Sequence, residues 1–316
     1  MSGNKIRWPS FTKTFHHKPY PAIEPTQSSL SAKGRVVLIT GAGSGIGQAT
    51  AIAFAQANAK VVVLTGRRIS ALEETRHKIT AAGLKTTVVV HRLEVSSEGS
   101  VKAVFASVLA EHGPIDVCVH GASHLSEAGK LHESTVSNFW DSFEVNVKGS
   151  FLINHAFLNQ GGPSFKTRVL IMMNSSLAHV DAGSQKTAPA SYAITKLAQA
   201  KLIEYSASDN EANTHFRTYA VMPGVVETEM SDRSIAMAPP GTRDALVWDS
   251  PDLPAHFFVW LASPKGACIP SGKYLWAGWD VEELEARKEE LADNPLALTQ
   301  TLHGWPFDYV DDYQGS

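Results

Sequence analysis

The sequence predicts an α/β protein built on a doubly wound, parallel, seven-stranded sheet in a single domain. Three observations carry that reading. Short β-branched runs alternate with segments of helix formers about a dozen residues long, the mark of repeated βαβ units. The runs are apolar throughout, as strands are when helices cover both faces of their sheet. A glycine-rich turn joins the first run to the first helical segment.

The elements follow in order. RVVLIT (35–40) is the first strand, GAGSGIG (41–47) the glycine turn, and QATAIAFAQANA (48–59) the first helix. KVVVLTGRR (60–68) is a second strand with its exit turn. ISALEETRHKITAAG (69–83) is an amphipathic helix closed by Gly83, a residue suited to a C-cap. TTVVVHRLEV (86–95) and IDVCVHGAS (115–123) are strands flanking the helix SVKAVFASVLAEHG (100–113). One long helix is expected over 134–158, then strand RVLIMMN (168–174) and helix SYAITKLAQAKLIEYSAS (191–208). Strand RTYAVMPG (217–224), an irregular segment (225–250), helix DLPAHFFVWLAS (252–263) and strand GKYLWAG (272–278) complete the alternation.

Around this body, 31–280, lie two extensions. Residues 1–30 carry Pro9, Pro19, Pro21 and Pro25 with no sustained period and read as an extended arm. Ile6, Trp8, Phe11, Phe15 and Tyr20 make it too aromatic for a free tail, so it is expected to lie on the body. Residues 281–316 hold a helical piece, VEELEARKEELA (281–292), and an aromatic tail.

Composition narrows the function classes. Of 316 residues, 43% are apolar and 19% charged, ordinary for a soluble globular protein, and the net charge of −3 offers nothing to nucleic acid or an anionic membrane. The N-terminus lacks the apolar run of a signal peptide, and no stretch approaches the ~20 apolar residues of a bilayer span. Cys118 and Cys268 sit in apolar surroundings and read as reduced thiols, which fits a cytosolic protein. His16 and His17 have no acidic or cysteine partner nearby in the sequence, so no metal site is expected.

Strand, glycine turn and helix in succession form a dinucleotide-binding arrangement of the Rossmann type. Glycines allow close backbone approach, and the helix start offers free N–H groups to a pyrophosphate. Gly41, Gly45 and Gly47 give G-x-x-x-G-x-G spacing; Ser44 and Ile46 complete the loop, and Ile46 stands where a strict G-x-G-x-x-G would end. At the end of the second strand an acid would favour NAD and an arginine NADP. Here Arg67 and Arg68 stand there and no acid occurs before Glu73, which selects NADP through Arg67 and leaves NAD as the alternative.

TGAGSGIG (40–47), EVNVKGS (144–150), NSS (174–176), SYAITK (191–196) and MPGVVETEM (222–230) occur in register. Together they resemble the short-chain dehydrogenase/reductase family over roughly residues 31–280, and the extensions with GKYLWAGWD resemble a fungal subgroup. The chemistry can be argued independently. Hydride transfer to a carbonyl needs a proton donor at the developing alkoxide. Tyr192 and Lys196 are four apart on one helix face, where the ammonium can lower the phenol's pKa. The resemblance implies Tyr192 as acid/base, Lys196 as its modulator and ribose contact, Ser176 as substrate-orienting hydroxyl and Asn146 as support for a relay water. Ser176 lies sixteen positions before Tyr192, more than the family commonly shows, and Ser184 is the spare hydroxyl.

The resemblance further implies that Pro223, Gly224, Val226 and Thr228 meet the nicotinamide. Glu94, followed by Val95, stands where the family has an adenine-contacting Asp. HGAS (120–123) stands in place of NNAG, with Gly121 and Ala122 keeping a small surface beside the cofactor. His120 and His124 are read as satisfying backbone groups of that turn. A homodimer or homotetramer through the Tyr192 helix and its neighbour is implied too.

Residues 229–250 are expected to form a lid whose Met230, Ile235, Met237 and Trp248 give it an apolar face. This suggests a bulky, mainly apolar ketone or secondary alcohol, polyketide-like or aromatic. Trp276, Trp279, Trp305, Trp8 and Phe11 either join that pocket, or anchor the extensions or cover a subunit interface. Two other functions fit the same residues: non-redox chemistry such as dehydration, epimerisation or cyclisation, and a non-enzymatic nucleotide-sensing module.

Overall fold

A computed structural model describes residues 10–127, 131–161, 167–179, 189–213 and 215–302. Seven parallel strands form one sheet: β1 (Val36–Thr40), β2 (Val61–Gly66), β3 (Thr87–Arg92), β4 (Val117–His120), β5 (Arg168–Met173), β6 (Phe216–Met222) and β7 (Tyr274–Trp276). Their order across the sheet is β3-β2-β1-β4-β5-β6-β7. The winding reverses between β1 and β4, which pair in register from Val37↔Val117 to Thr40↔His120. At such a switch point the connections leave in opposite directions and open a crevice at the strands' carboxyl ends.

The apolar runs of the sequence become buried strands: β1, β4 and β6 are buried along their whole length. The edge strand β3 is half-exposed, so the expectation of two covered faces holds for the middle of the sheet. Helices α1 (Gly45–Gln56), α2 (Ile69–Ala81) and α3 (Glu98–His112) return the chain between the first strands. The alanines of α1 present little bulk, which lets it lie against α9 (Asp252–Ala262), buried from Leu253 to Ala262.

The helix expected over 134–158 is three pieces on one course. Helix α4 (Val136–Ser142) passes into a π-helical stretch, Phe143–Lys148, and then α5 (Gly149–Leu158). A wider turn inside a helix is set by local packing, and apolar spacing does not encode it. Helix α6 (Ala190–Ser208) carries the Tyr192 face. The irregular segment holds α7 (Glu229–Ala236) and α8 (Thr242–Ala245). The expected C-terminal helix is two, α10 (Val281–Ala286) and α11 (Lys288–Asp293).

The arm lies on the body as its aromatics predict. Phe11 sits 5.6 Å from the Trp279 ring, Phe15 meets Trp276 edge-on at 6.3 Å, and Tyr20 receives the Val281 N–H at 2.9 Å. Trp276 and Trp279 are buried, so these aromatics anchor the extension; Ile6, Trp8 and Trp305 fall outside the described residues. His16 and His17 do have acidic partners, Asp280 at 2.8 Å and Asp249 at 2.6 Å, brought from far along the chain by the fold.

The core makes a direct stability prediction. Phe157 is fully buried against Phe216 and beneath the Arg168 guanidinium. Phe157→Ala should lower the unfolding free energy by about 3–5 kcal/mol, read from urea denaturation, because the cavity cannot collapse in a close-packed sheet–helix layer.

Candidate active site

The glycine turn lies beside the β1/β4 switch point. Gly47 starts the second half of the turn so close to the first that an added Cβ would stand 2.2 Å from the Gly41 carbonyl oxygen. That contact is to backbone and cannot be relieved by a side-chain rotation. Ser44 caps α1 without a side-chain hydrogen bond to the first-turn N–H groups, leaving them for a ligand. A crevice floored by glycine and headed by an uncapped helix start suits a pyrophosphate. Gly45 approaches Thr228 across this opening, while the half-buried Ile46 packs against the core. Arg67 and Arg68 follow β2; Arg68 pairs with Glu229 at 3.2 Å, whereas Arg67 has no ion pair among the described residues. Glu94 accepts the Ser96 hydroxyl at 3.0 Å, and Val95 is buried against Gly149.

Across the switch point, α6 presents Tyr192 and Lys196, both buried. The Lys196 Nζ donates to the Met173 carbonyl at 3.0 Å and to Gln199 Oε1 at 3.1 Å, and lies 5.5 Å from the Tyr192 ring centre. Burial pushes the Lys196 ammonium down to about 7. It pushes the Tyr192 phenol up to about 12, against the pull of hydrogen bonds with Ser123 and Ser175. Desolvation of the buried phenol outweighs what the two serine hydroxyls return.

Both serines of the pair lie at the α6 side of β5, on and just before the short turn that follows it. Ser175 stands near enough to the Tyr192 phenol to draw its pKa down, and Ser176 is buried with its N–H on the Met222 sulfur at 3.2 Å. The chain turns into a short 3₁₀ segment here, Ser176–Ala178, which Ser175 caps by accepting the Leu177 N–H. That turn packs against α6. Ser184 falls outside the described residues.

Asn146 lies in the π-helical stretch, buried. Its Oδ1 accepts the Ser123 hydroxyl at 3.0 Å and the His124 N–H at 2.7 Å; its Nδ2 donates to the His124 carbonyl and to Thr195. The side chain thus holds the loop after β4 against α6. Its backbone carbonyl accepts the Ser150 hydroxyl at 2.6 Å.

The histidines differ from their expected role. His120 bonds side chains, not backbone: Nδ1 meets Thr40 Oγ1 at 2.8 Å and Nε2 meets Ser150 Oγ at 3.1 Å. Thr40 Oγ1 accepts the N–H groups of Gly121 and Ala122, so its proton goes to His120 Nδ1 and the ring carries its own on Nε2. His120 is neutral, burial holding its pKa down at about 3 with the Lys196 charge adding to the effect. His124 engages Asn146 through its backbone, but its Nε2 has no partner among the described residues.

The segment after β6 runs Pro223, Gly224, Val225, Val226 and leads to Thr228, which caps α7 in a capping box with Ser231. Helix α7 buries no residue; Met230, Ile235, Met237 and Trp248 are half-buried. It is tied down by Arg68–Glu229 and by Arg233, which donates to the Leu125 carbonyl at 2.8 Å. Arg243 braces it from α8 through Glu227 and Asp232.

The structure sets Tyr192 beside Lys196 on α6, with Asn146 tied to the same helix through Thr195, and adds Ser123, Ser175 and Gln199 to their surroundings. Gln199 was findable: it lies seven positions after Tyr192 and three after Lys196 on one helix face. Ser123 and Ser175 were not, because their direction depends on loop conformation.

The family model for short chain dehydrogenases matches residues 35–238. The chain is 34% identical to the short chain dehydrogenase citE of Monascus ruber, over 87% of this chain and 91% of that one. It is 31% identical to the short chain dehydrogenase/reductase nsrO of Aspergillus novofumigatus, over 92% and 96%. Among solved structures it resembles a putative short chain dehydrogenase from Pseudomonas syringae, with a TM-score of 0.69 and 26% identity over 79% of this chain and 96% of that one.

The buried imidazole predicts an acid-sensitive fold. Between the ordinary 6.5 and the folded value near 3, the unfolded chain takes up a proton that the native ring refuses. Stability should therefore fall as pH drops through that window. His120→Asn should show a shallower loss between pH 6.5 and 4 in urea melts than the parent chain, whatever its stability at neutral pH.

Proposed function

This chain belongs to the short chain dehydrogenase family, and on that premise we propose that it is an NADP(H)-dependent reductase of bulky, mainly apolar ketones. As a family member it is an NAD(P)-dependent oxidoreductase. One observation carries the finer reading: a buried, protonated tyrosine flanked by two serine hydroxyls and a lysine, beside a glycine-floored crevice.

The bound nicotinamide supplies or takes the hydride. The chain's own groups then have defined tasks. Ser175 orients the substrate oxygen by hydrogen bonding, and Tyr192 delivers the proton to it. A phenol held at about 12 keeps its proton at neutral pH, which suits the acid in carbonyl reduction. Lys196, fixed by Met173 and Gln199, stands beside the phenol to replenish that proton. Asn146 positions Ser123 and the loop after β4. Arg67, with no competing ion pair among the described residues, is the group for a ribose 2′-phosphate. Gly41, Ser44, Gly45, Ile46, Gly47 and Gly121 would surround the pyrophosphate and ribose, and Glu94 and Val95 the adenine. Pro223, Gly224, Val226 and Thr228 would meet the nicotinamide.

The half-buried Met230, Ile235, Met237 and Trp248 support an apolar substrate. Exposed Phe151 on α5 and Ile194, Leu197 and Tyr205 on α6 support association of this face with a second copy, as a dimer or tetramer. No described helix is long and apolar enough to cross a membrane, and free Cys118 and Cys268 fit a reducing compartment such as the cytosol.

A panel of ketones assayed by NADPH absorbance tests the reaction: substrate turnover without net NADPH consumption would defeat the reductase reading. Tyr192→Phe should abolish turnover while leaving NADPH affinity nearly unchanged. Ser175→Ala should lower kcat by about a hundredfold, as loss of one donor to a developing oxyanion does. Ser176→Ala should cost far less, and the reverse ranking would restore the sequence assignment. Arg67→Ala should raise KM for NADPH much more than for NADH; equal changes would remove Arg67 from the cofactor site.

A further inference from the structure

The N-terminal arm reaches the segment that follows β6. His17 Nδ1 donates to Asp249 Oδ1 at 2.6 Å, and the other carboxylate oxygen accepts the Val225 N–H at 2.6 Å. The same two strands of chain are joined again in the opposite sense, Asp249 N–H to the Val225 carbonyl at 2.7 Å. The Ser250 N–H donates to the His17 carbonyl at 2.9 Å, so the arm grips this segment through both side chain and backbone. The Asp249 side chain is only 4% exposed. Gly224, at φ 105, lies so close that an added Cβ would stand 2.5 Å from Asp249 Oδ2. No other residue at 224 could keep this approach.

We infer that His17 is a positioning residue of the nicotinamide site, acting through Asp249 on the Gly224–Val226 backbone. The inference rests on the reading that this segment meets the nicotinamide. A buried carboxylate with one donor from each side is held in one place; with the imidazole removed, it keeps only the Val225 N–H and gains a reason to turn toward water. The Val225 backbone would then lose its fixed distance from the Tyr192 face. The ring also packs on Phe15, which meets Trp276 edge-on, so one side of the partly exposed imidazole rests on the anchoring cluster. The arm therefore acts on a specific stretch of the catalytic crevice.

The test uses the full chain and two ligands: NADPH, and adenosine 2′,5′-bisphosphate, which lacks the nicotinamide half. His17→Ala, His17→Phe and His17→Asn are compared with the parent by calorimetry, steady-state kinetics and thermal melting. Phe keeps the ring against Phe15 and removes the donor; Asn places an N–H near the original Nδ1. The expected result is NADPH binding and kcat weakened about tenfold in Ala and Phe, bisphosphate binding changed less than twofold, and recovery in Asn, as misplacement of a reacting group predicts. Should Ala fail to fold, Phe against Asn decides the matter. Parent-like NADPH binding and kcat in a folded Phe variant overturn the inference. So does equal weakening of both ligands, which marks a general structural role. A parent chain that binds neither NADPH nor NADH removes the cofactor reading itself, and the arm's role with it.

Discussion

A lysine ammonium buried at the centre of the molecule constrains most of what surrounds it. A buried cation is tolerated only when its protons are accepted. Lys196 has the carbonyl closing β5 and the Gln199 amide for this. Gln199 must then place its own N–H, and it does so on Ser150 Oγ at 2.7 Å. Ser150 in turn donates to Asn146 and receives His120, and His120 receives Thr40 at the end of β1. One connected set of hydrogen bonds thus runs from α6 through α5 and β4 to the mouth of the glycine turn. In a low-dielectric interior each bond in such a chain fixes the next, so the proton-transfer groups and the cofactor crevice are held in one frame.

This network also explains the departure of HGAS from the usual NNAG. An imidazole spans farther than an amide and uses two nitrogens at opposite ends, so it can join Thr40 to Ser150 across the β1/β4 pair. The π-helical stretch has a related purpose. Its wider turn carries Asn146 inward to the loop after β4 while its carbonyl stays within reach of Ser150.

How much of this was legible follows from the physics of each signal. The sheet, the glycine crevice and the Tyr192–Lys196 face are written in short-range patterns: apolar runs, glycine spacing, residues four apart. They appear in the structure where the sequence placed them. The surroundings of Ser175 and Ser176 depend on a single 3₁₀ turn, which adjacent serines cannot reveal. The phenol's raised pKa comes from burial, a property of the whole fold. His16 and His17 looked unpartnered because Asp249 and Asp280 lie more than two hundred positions away, and the long-range pairing of an arm leaves no local mark.

The fastenings of the crevice differ in kind on its two sides. The arm side is closed by buried carboxylate bonds and stacked rings. The side formed by α7 buries no residue and is tied by exposed pairs, Arg68–Glu229, Arg243–Glu227 and Arg243–Asp232, besides one arginine-to-carbonyl bond. Exposed ion pairs contribute roughly 0–1 kcal/mol each and weaken as salt screens them. The hold on α7 is therefore set by ionic strength more than by the packing that holds the rest of the protein still.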